Sequence, residues 1–524
     1  MSLVLRVPFC PHKSRLACIP VATLGLLLAA LSLSGHALAL DSDEPTAESL
    51  QFERCTIGDR RATLKARCAT LEVALDPSSG PANQSAAGQT TTNDSLHLAI
   101  ARIPARGRKA QADPVVFISG GPGQSARDTY PAIARAFRHV NRDRDIIIVD
   151  QRGTGASELL DCPTGPDGLA GDNSTEALAR EARESATDCL ASLEADPRLF
   201  TTSVAVRDLE QVRKALGVDS WNLYGVSYGT RVALHYARRY PARTRALVLD
   251  AVVPPGIPLG PDIAPLAQRA LSLILQRCAA NQACNNAFPD IESRTSDFID
   301  RLESGAIDVE WEDIAQGSLE TSRFSREDLA VTLRLLAYSA HGASLLPSLL
   351  DDAIEQDHLA PLARQAALQT RELQASLATG MHYAVVCTED LPFMDADAAR
   401  AKAADTFLGS APLTALEAAC DAWPAGIIDD DFHALLDSDV PTLILSGEAD
   451  PVTPPAYGDR LTQTLGNATH IVNEGQGHMQ LPLGCVPQLF AEFVDAADGT
   501  DLSLACLDRL YPPPFFVDAN GPHP

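Results

Sequence analysis

The sequence predicts an α/β fold: a mostly parallel, doubly wound sheet carrying a large helical cap insertion. Three observations lead there. Short, continuously apolar, β-branched runs at 114–118, 145–149, 247–249 and 442–445 have the pattern of strands buried on both faces. Helically spaced segments at 203–216, 231–239 and 488–495 alternate with them, as crossover helices of a parallel sheet do. From about 255 to 439 the alternation stops, and Ala/Leu-rich periodic segments such as 329–340 and 360–377 take over with few strand signals. An insertion of that length between two sheet strands is expected to sit over one edge as a lid.

Taken from the N-terminus, residues 1–39 read as an export signal. Arg6, Lys13 and Arg15 form its basic front, an apolar run follows to about Leu33, and Ala37-Leu38-Ala39 supplies the small-x-small cleavage pattern. The rival is an uncleaved anchor, since the run approaches the roughly 20 residues that span a bilayer. Pro20, Ser32, Ser34 and the cleavage pattern favour removal. No second apolar run is long enough to span a membrane, so a soluble secreted or periplasmic product with no membrane partner is expected. Residues 40–254 form the first part of the sheet core, opening with alternating strands at 70–75 and 95–103 around a polar loop. Residues 255–439 are the cap. Residues 440–524 return to the core and end in a Pro-rich stretch at 511–516.

Composition narrows the function classes. Of 524 residues, 45% are apolar and 21% charged, which excludes a disordered chain. The formal charge is −26 and no Lys/Arg run stands out, which argues against a nucleic-acid partner. Ten of the twelve cysteines lie beyond the signal, and an even number in an exported chain argues for disulfides. Neighbour pairing (Cys55 with Cys68, Cys162 with Cys189, Cys278 with Cys284, Cys387 with Cys420, Cys485 with Cys506) is the simplest of the connectivities open to them. A zinc site would want a tight Cys or Cys/His cluster, and the sequence has none.

The chemistry centres on Gly225-Val226-Ser227-Tyr228-Gly229, a G-x-S-x-G turn between a short strand and the helix that starts at about Thr230. A sharp strand-to-helix turn pushes the Ser227 hydroxyl outward, and a glycine two residues to either side relieves the crowding. A serine hydroxyl needs a base. His478 lies in a glycine-rich loop after the apolar strand at 470–472, where it can reach over the sheet's carboxyl edge. His470 belongs to that strand, and His235 sits in the elbow's helix facing the wrong way. Asp450, just past the strand at 442–445, is preferred over Glu448 as the carboxylate that fixes the imidazole tautomer. The order Ser227, Asp450, His478 is that of the hydrolase fold built around such an elbow. Backbone N–H groups of Gly121, in the turn 119–125, and of Tyr228 are the candidate oxyanion donors. No Gly-Lys-Ser/Thr follows that turn, so it is not a phosphate loop. Such a triad requires no metal and no organic cofactor.

At these residues the chain resembles the proline iminopeptidase group of serine peptidases, and more closely its secreted tripeptidyl-aminopeptidase-like branch. Gly-Gly-Pro-Gly at 120–123, Asp-Gln-Arg-Gly-Thr-Gly-Ala-Ser at 150–157, the elbow, and 446–450 through His478 carry the likeness. An entry strand at 68–76 and the C-terminal segment with Cys485 and Cys506 extend it over nearly all of the mature chain. The resemblance implies an α/β-hydrolase fold with a helical cap and release of residues from free peptide N-termini. Ser119 departs from it, standing where the iminopeptidases usually carry His. The segment 383–390 is similar to one in the tripeptidyl branch, which makes Glu389 or Asp390 a candidate to hold a substrate ammonium; a solvated or capping carboxylate is the competing reading. Arg152 is expected to brace its loop by pairing with Asp150. The reading is an exported serine exopeptidase acting on peptides. An esterase or amidase for small acyl substrates, using the same triad, is the alternative. A non-catalytic binding protein on a hydrolase scaffold is disfavoured by the intact set.

Overall fold

A computed structural model describes residues 50–77, 95–162, 174–314, 316–518 and 520–522. The expected export signal lies outside them. Eleven strands are present among these residues: β1 (Glu53–Gly58), β2 (Thr63–Ala74), β3 (Ser95–Ile103), β4 (Val115–Ile118), β5 (Ile146–Val149), β6 (Trp221–Val226), β7 (Thr244–Asp250), β8 (Ile307–Asp313), β9 (Ser318–Phe324), β10 (Thr442–Gly447) and β11 (Ala468–Asn473). Nine of them form one sheet in the order β1-β2-β3-β5-β4-β6-β7-β10-β11. Pairing is antiparallel from β1 to β5 and parallel from β5 to β11.

Every residue of β4, β5, β6 and β10 is buried, which is why these strands read as apolar runs. Successive side chains point to opposite faces. Val116, Ile147, Leu223, Leu249 and Ile444 therefore join one core, while Phe117, Ile148, Tyr224, Val248 and Leu445 join another. Helices Thr202–Ala215 and Tyr228–Arg239 cover the first face; Ala126–Ile133 and Val486–Ala496 cover the second. This is the α/β-hydrolase architecture, doubly wound as the sequence predicts.

Between β7 and β10 the described residues form nine α-helices and the β8–β9 hairpin; most surround a core of their own that includes Ile274, Phe298, Trp311, Leu333 and Leu350, while the helices Thr379–Glu389 and Ala411–Ala422 pack into the first core of the sheet. The hairpin was not expected from the sequence. It buries one face only, so its signal is the short alternation of 307–313 rather than an apolar run. The strand β1, with one buried residue among six, and the polar helix Thr175–Ser192 were missed for the same lack of a continuous apolar signal.

Five disulfides join the five neighbour pairs. Among the described residues no helix is long and apolar enough to cross a membrane. The disulfides fit a chain that matures in an oxidising compartment.

The expected Arg152–Asp150 pair does not form. Arg152 is fully buried and forks onto Asp208 in the helix Thr202–Ala215, with Nε to Oδ2 at 2.6 Å and Nη2 to Oδ1 at 2.8 Å. Its remaining donors reach the carbonyls of Ala74, Leu75 and Leu199. Asp150 is occupied elsewhere, accepting from Ser125 Oγ and from the N–H groups of Arg127 and Ala156. The arginine thus ties the end of β2 to a helix on one face of the sheet. Asp208→Ala would leave a guanidinium buried without its counter-charge, and urea unfolding should show a loss of about 3–5 kcal/mol.

Candidate active site

Strands β4, β6, β7, β10 and β11 all end at one edge of the sheet, and each is followed by a turn that carries a predicted site residue or supports one. At the end of β6, Ser227 has φ 54° and ψ −126°, a conformation that costs a non-glycine residue energy. Its surroundings hold it there. The Ser227 N–H donates to the Asp250 carbonyl at 2.9 Å, and its own carbonyl accepts from Thr230 N–H and Thr230 Oγ1. A Cβ on Gly225 would lie 2.4 Å from the Gly229 carbonyl oxygen, and one on Gly229 would lie 2.4 Å from that of Ile118. No side chain fits at either position. Ser227 is half-buried between fully buried chain neighbours, so its side chain emerges at the surface of the turn.

The imidazole is built from β11. His478 Nδ1 lies 2.8 Å from Asp450 Oδ2. Asp450 is fully buried and also accepts from Val452 N–H, Thr453 N–H and Thr453 Oγ1. Burial alone would raise the Asp450 carboxyl, but the His478 charge and hydrogen bond, with the Thr453 donors, hold it below its usual value. Burial likewise opposes protonation of His478; the Asp450 charge outweighs it and holds the imidazole above its ordinary 6.5. An ionised carboxylate can only accept, so Nδ1 carries the proton and Nε2 the lone pair. His478 Nδ1 is also 3.3 Å from Thr453 Oγ1, so this ring nitrogen faces the Asp450 turn.

Glu448, the other carboxylate considered, accepts from Gly475 N–H at 2.8 Å and so braces the histidine loop rather than the imidazole. Thr453 was missed from the sequence. The signal was there: Asp-Pro-Val-Thr places two N–H groups where an aspartate folds back onto its own turn.

The turn 119–123 passes close to Ser227, for a Cβ on Gly120 would lie 3.1 Å from the Ser227 Cβ. Ser119, the departure from the iminopeptidase pattern, closes this turn by donating to the Gln124 carbonyl at 2.7 Å. Among the described residues, neither Gly121 N–H nor Tyr228 N–H donates in the backbone hydrogen bonds of these turns.

Cap segments border the site on both sides. Ala378 N–H donates to the Gly123 carbonyl at 3.0 Å, beside Leu377 and Gly121. On the other side His478 N–H donates to the Tyr338 carbonyl at 2.7 Å, the two rings meet edge to face at 5.1 Å, and Arg277 donates to the Gly475 carbonyl.

Glu389 and Asp390, the candidates to hold a substrate ammonium, are engaged by protein groups. Both are fully buried. Glu389 accepts from Thr202 N–H and Oγ1, and burial pushes its carboxyl up to about 8. Asp390 accepts from Arg231 Nη1 and Leu259 N–H, each at 2.8 Å. These carboxylates pin the helix Thr379–Glu389 of the cap to the sheet core, a role the local sequence does not distinguish from ligand binding.

Two other histidines carry carboxylates without forming a site. His470 Nε2 lies 2.9 Å from Ser446 Oγ and its Nδ1 lies 3.0 Å from Asp459, but Ser446 is fully buried inside β10. His235 contacts Asp429 at 2.8 Å under the cap's return segment.

Residues 113–286 match the family model described as alpha/beta hydrolase fold, and residues 405–502 match the model described as TAP-like protein. The chain is 26% identical over 404 residues to a protein named serine protease Hip1 from Mycobacterium tuberculosis, covering 71% of this chain and 76% of that one. It is 32% identical over 139 residues to the proline iminopeptidase of Neisseria gonorrhoeae, 26% of this chain and 32% of the relative. A third relative, the tripeptidyl aminopeptidase of Streptomyces lividans, is 31% identical over 175 residues, 30% of this chain and 32% of the relative.

The crowding at the elbow has a measurable consequence. Gly225→Ala or Gly229→Ala must shift the Ser227 turn, and fluorophosphonate labelling of the protein should slow on the order of 10²-fold.

Proposed function

We propose that this chain, which matches the alpha/beta hydrolase fold and TAP-like family models and is similar to a proline iminopeptidase and a tripeptidyl aminopeptidase, is an exported serine exopeptidase releasing residues from free peptide N-termini. The observation that carries the reading is the Asp450–His478 pair, bonded at 2.8 Å at the sheet edge that also presents the strained Ser227 turn.

In this mechanism His478 Nε2 takes the Ser227 proton as Oγ attacks the scissile carbonyl carbon. The carbonyl oxygen gains the negative charge and is met by Gly121 N–H and Tyr228 N–H. The tetrahedral centre collapses, the C–N bond breaks, and the imidazolium gives its proton to the departing amine. A water then gives a proton to Nε2 as it attacks the acyl carbon; the C–Oγ bond breaks, the imidazolium returns the proton to Oγ, and the N-terminal fragment leaves as its carboxylic acid. Asp450 stays ionised throughout and stabilises the imidazolium.

Three things support the exopeptidase reading. Two relatives bear aminopeptidase or iminopeptidase names. Cap segments stand on both sides of the site, an arrangement that favours a chain end over the middle of a folded substrate. Five disulfides accord with export, for which residues 1–39 supply the signal.

Mass spectrometry of a peptide library in unblocked and N-acetylated forms tests the reading. Release from unblocked peptides alone is expected; turnover of simple esters with no peptide cleavage would overturn it in favour of an esterase. Ser227→Ala and His478→Ala should each lower turnover by about 10⁴-fold or more while the protein stays folded. Asp450→Asn should lower it somewhat less, through the wrong imidazole tautomer.

The pH profile follows from His478. The base must be neutral, so kcat/KM should fall as pH drops through the raised imidazole value, placing the acid limb above 6.5. Removing the Asp450 charge should move that limb to lower pH.

A further inference from the structure

We infer that Asp250 is a positioning residue that holds the nucleophile turn, the histidine loop and the acid-bearing strand in one register; the inference rests on the function proposed above. Asp250 ends β7, the strand lying between β6 and β10. Its backbone carbonyl accepts the Ser227 N–H at 2.9 Å. Its carboxylate is fully buried and faces the histidine loop: Oδ1 accepts Gln480 N–H at 2.7 Å and Oδ2 accepts Leu481 N–H at 2.8 Å. A third donor reaches Oδ2 from β6, where Tyr224 Oη lies at 2.8 Å, three residues before the nucleophile. The next residue, Ala251, donates its N–H to the Leu445 carbonyl of β10, the strand that leads to Asp450. One dipeptide therefore touches Ser227 and the two chain segments that carry His478 and Asp450.

The histidine loop needs such an anchor. Met479, directly after His478, has φ 63°. A non-glycine residue holds that conformation only where the chain on either side is fixed. His478 N–H is fixed by Tyr338 on one side, and the two N–H groups after Met479 are fixed by Asp250 on the other. Three donors converge on the Asp250 carboxylate, so an amide in its place would turn at least one N–H toward another donor and leave a buried group unpaired.

A carboxylate here also acts on the imidazole at a distance. The charged and titratable groups that face His478 are Asp450 and Asp250 from the sheet, and Arg334 and Tyr338 from the cap. Asp450 and Asp250 favour the imidazolium, and Arg334 opposes it. Burial pushes the Asp250 carboxyl above its ordinary value, while the Gln480, Leu481 and Tyr224 donors and the His478 charge favour its ionised form. With three donors bound to it as a carboxylate, removing its charge should lower the pH at which His478 is protonated, a change that a purely structural brace would not produce.

The test is steady-state kinetics of Asp250→Asn on an unblocked peptide across pH, with Ser227→Ala measured beside it. We expect kcat to fall on the order of 10- to 100-fold with KM little changed, and the acid limb of kcat/KM to move to lower pH. A folded Asp250→Asn protein with wild-type kcat and an unmoved acid limb would overturn the inference. If Asp250→Asn does not fold, Tyr224→Phe takes its place, deleting one donor and keeping the charge. It should lower kcat about three- to tenfold and leave the acid limb where it was; an unchanged kcat would overturn the inference. Ser227→Ala separates the two claims. If that variant keeps its turnover, the proposed function fails; if Ser227→Ala is silent while the Asp250 variants behave as wild type, only the inference about Asp250 fails.

Discussion

A serine held at φ 54° and ψ −126° is the constraint around which this molecule is arranged. The conformation is unfavourable in isolation, so it persists only where neighbouring chain leaves no alternative. Gly225 and Gly229 bring β6, the following helix and the end of β4 within backbone contact of one another. Closeness of that kind is possible because β4 and β6 are adjacent parallel strands in a sheet packed on both faces. The turn is thus a product of the whole sheet, and a short peptide carrying the same five residues would not reproduce it.

Burial on two faces also explains what could be read without coordinates. Strands such as Ile146–Val149 have no solvent side, so their sequences are uniformly apolar and their place in a parallel sheet was legible. The predicted site residues were located by the same signal only in part: Ser227 and Asp450 follow strands buried on both faces, whereas His478 follows β11, a partly exposed edge strand. Elements with one buried face were harder. The hairpin of Ile307–Asp313 and Ser318–Phe324 shows only a weak alternation among helical neighbours.

Partner choice was the other gap. Arg152 stands two residues from Asp150, yet its guanidinium meets Asp208 at a sequence distance of 56. Local spacing cannot reveal such a pairing, because it depends on which helix packs over the strand. Glu389 and Asp390 teach the same lesson. Two adjacent carboxylates in a helical cap look alike in sequence whether they face a ligand or, as here, Thr202 and Arg231.

The contact between the cap and the histidine loop has a consequence for how the two halves of this protein relate. The carbonyl of Tyr338, a cap residue, supplies the acceptor for the His478 N–H, and Arg277, another, supplies a donor to Gly475. The insertion is therefore part of the scaffold that aims the imidazole, besides being a roof above it. Stripping it away to widen access for bulkier molecules would unmoor the very side chain such a redesign relies on. Altered selectivity is better sought by repainting the inner lining of the insertion than by trimming its outline.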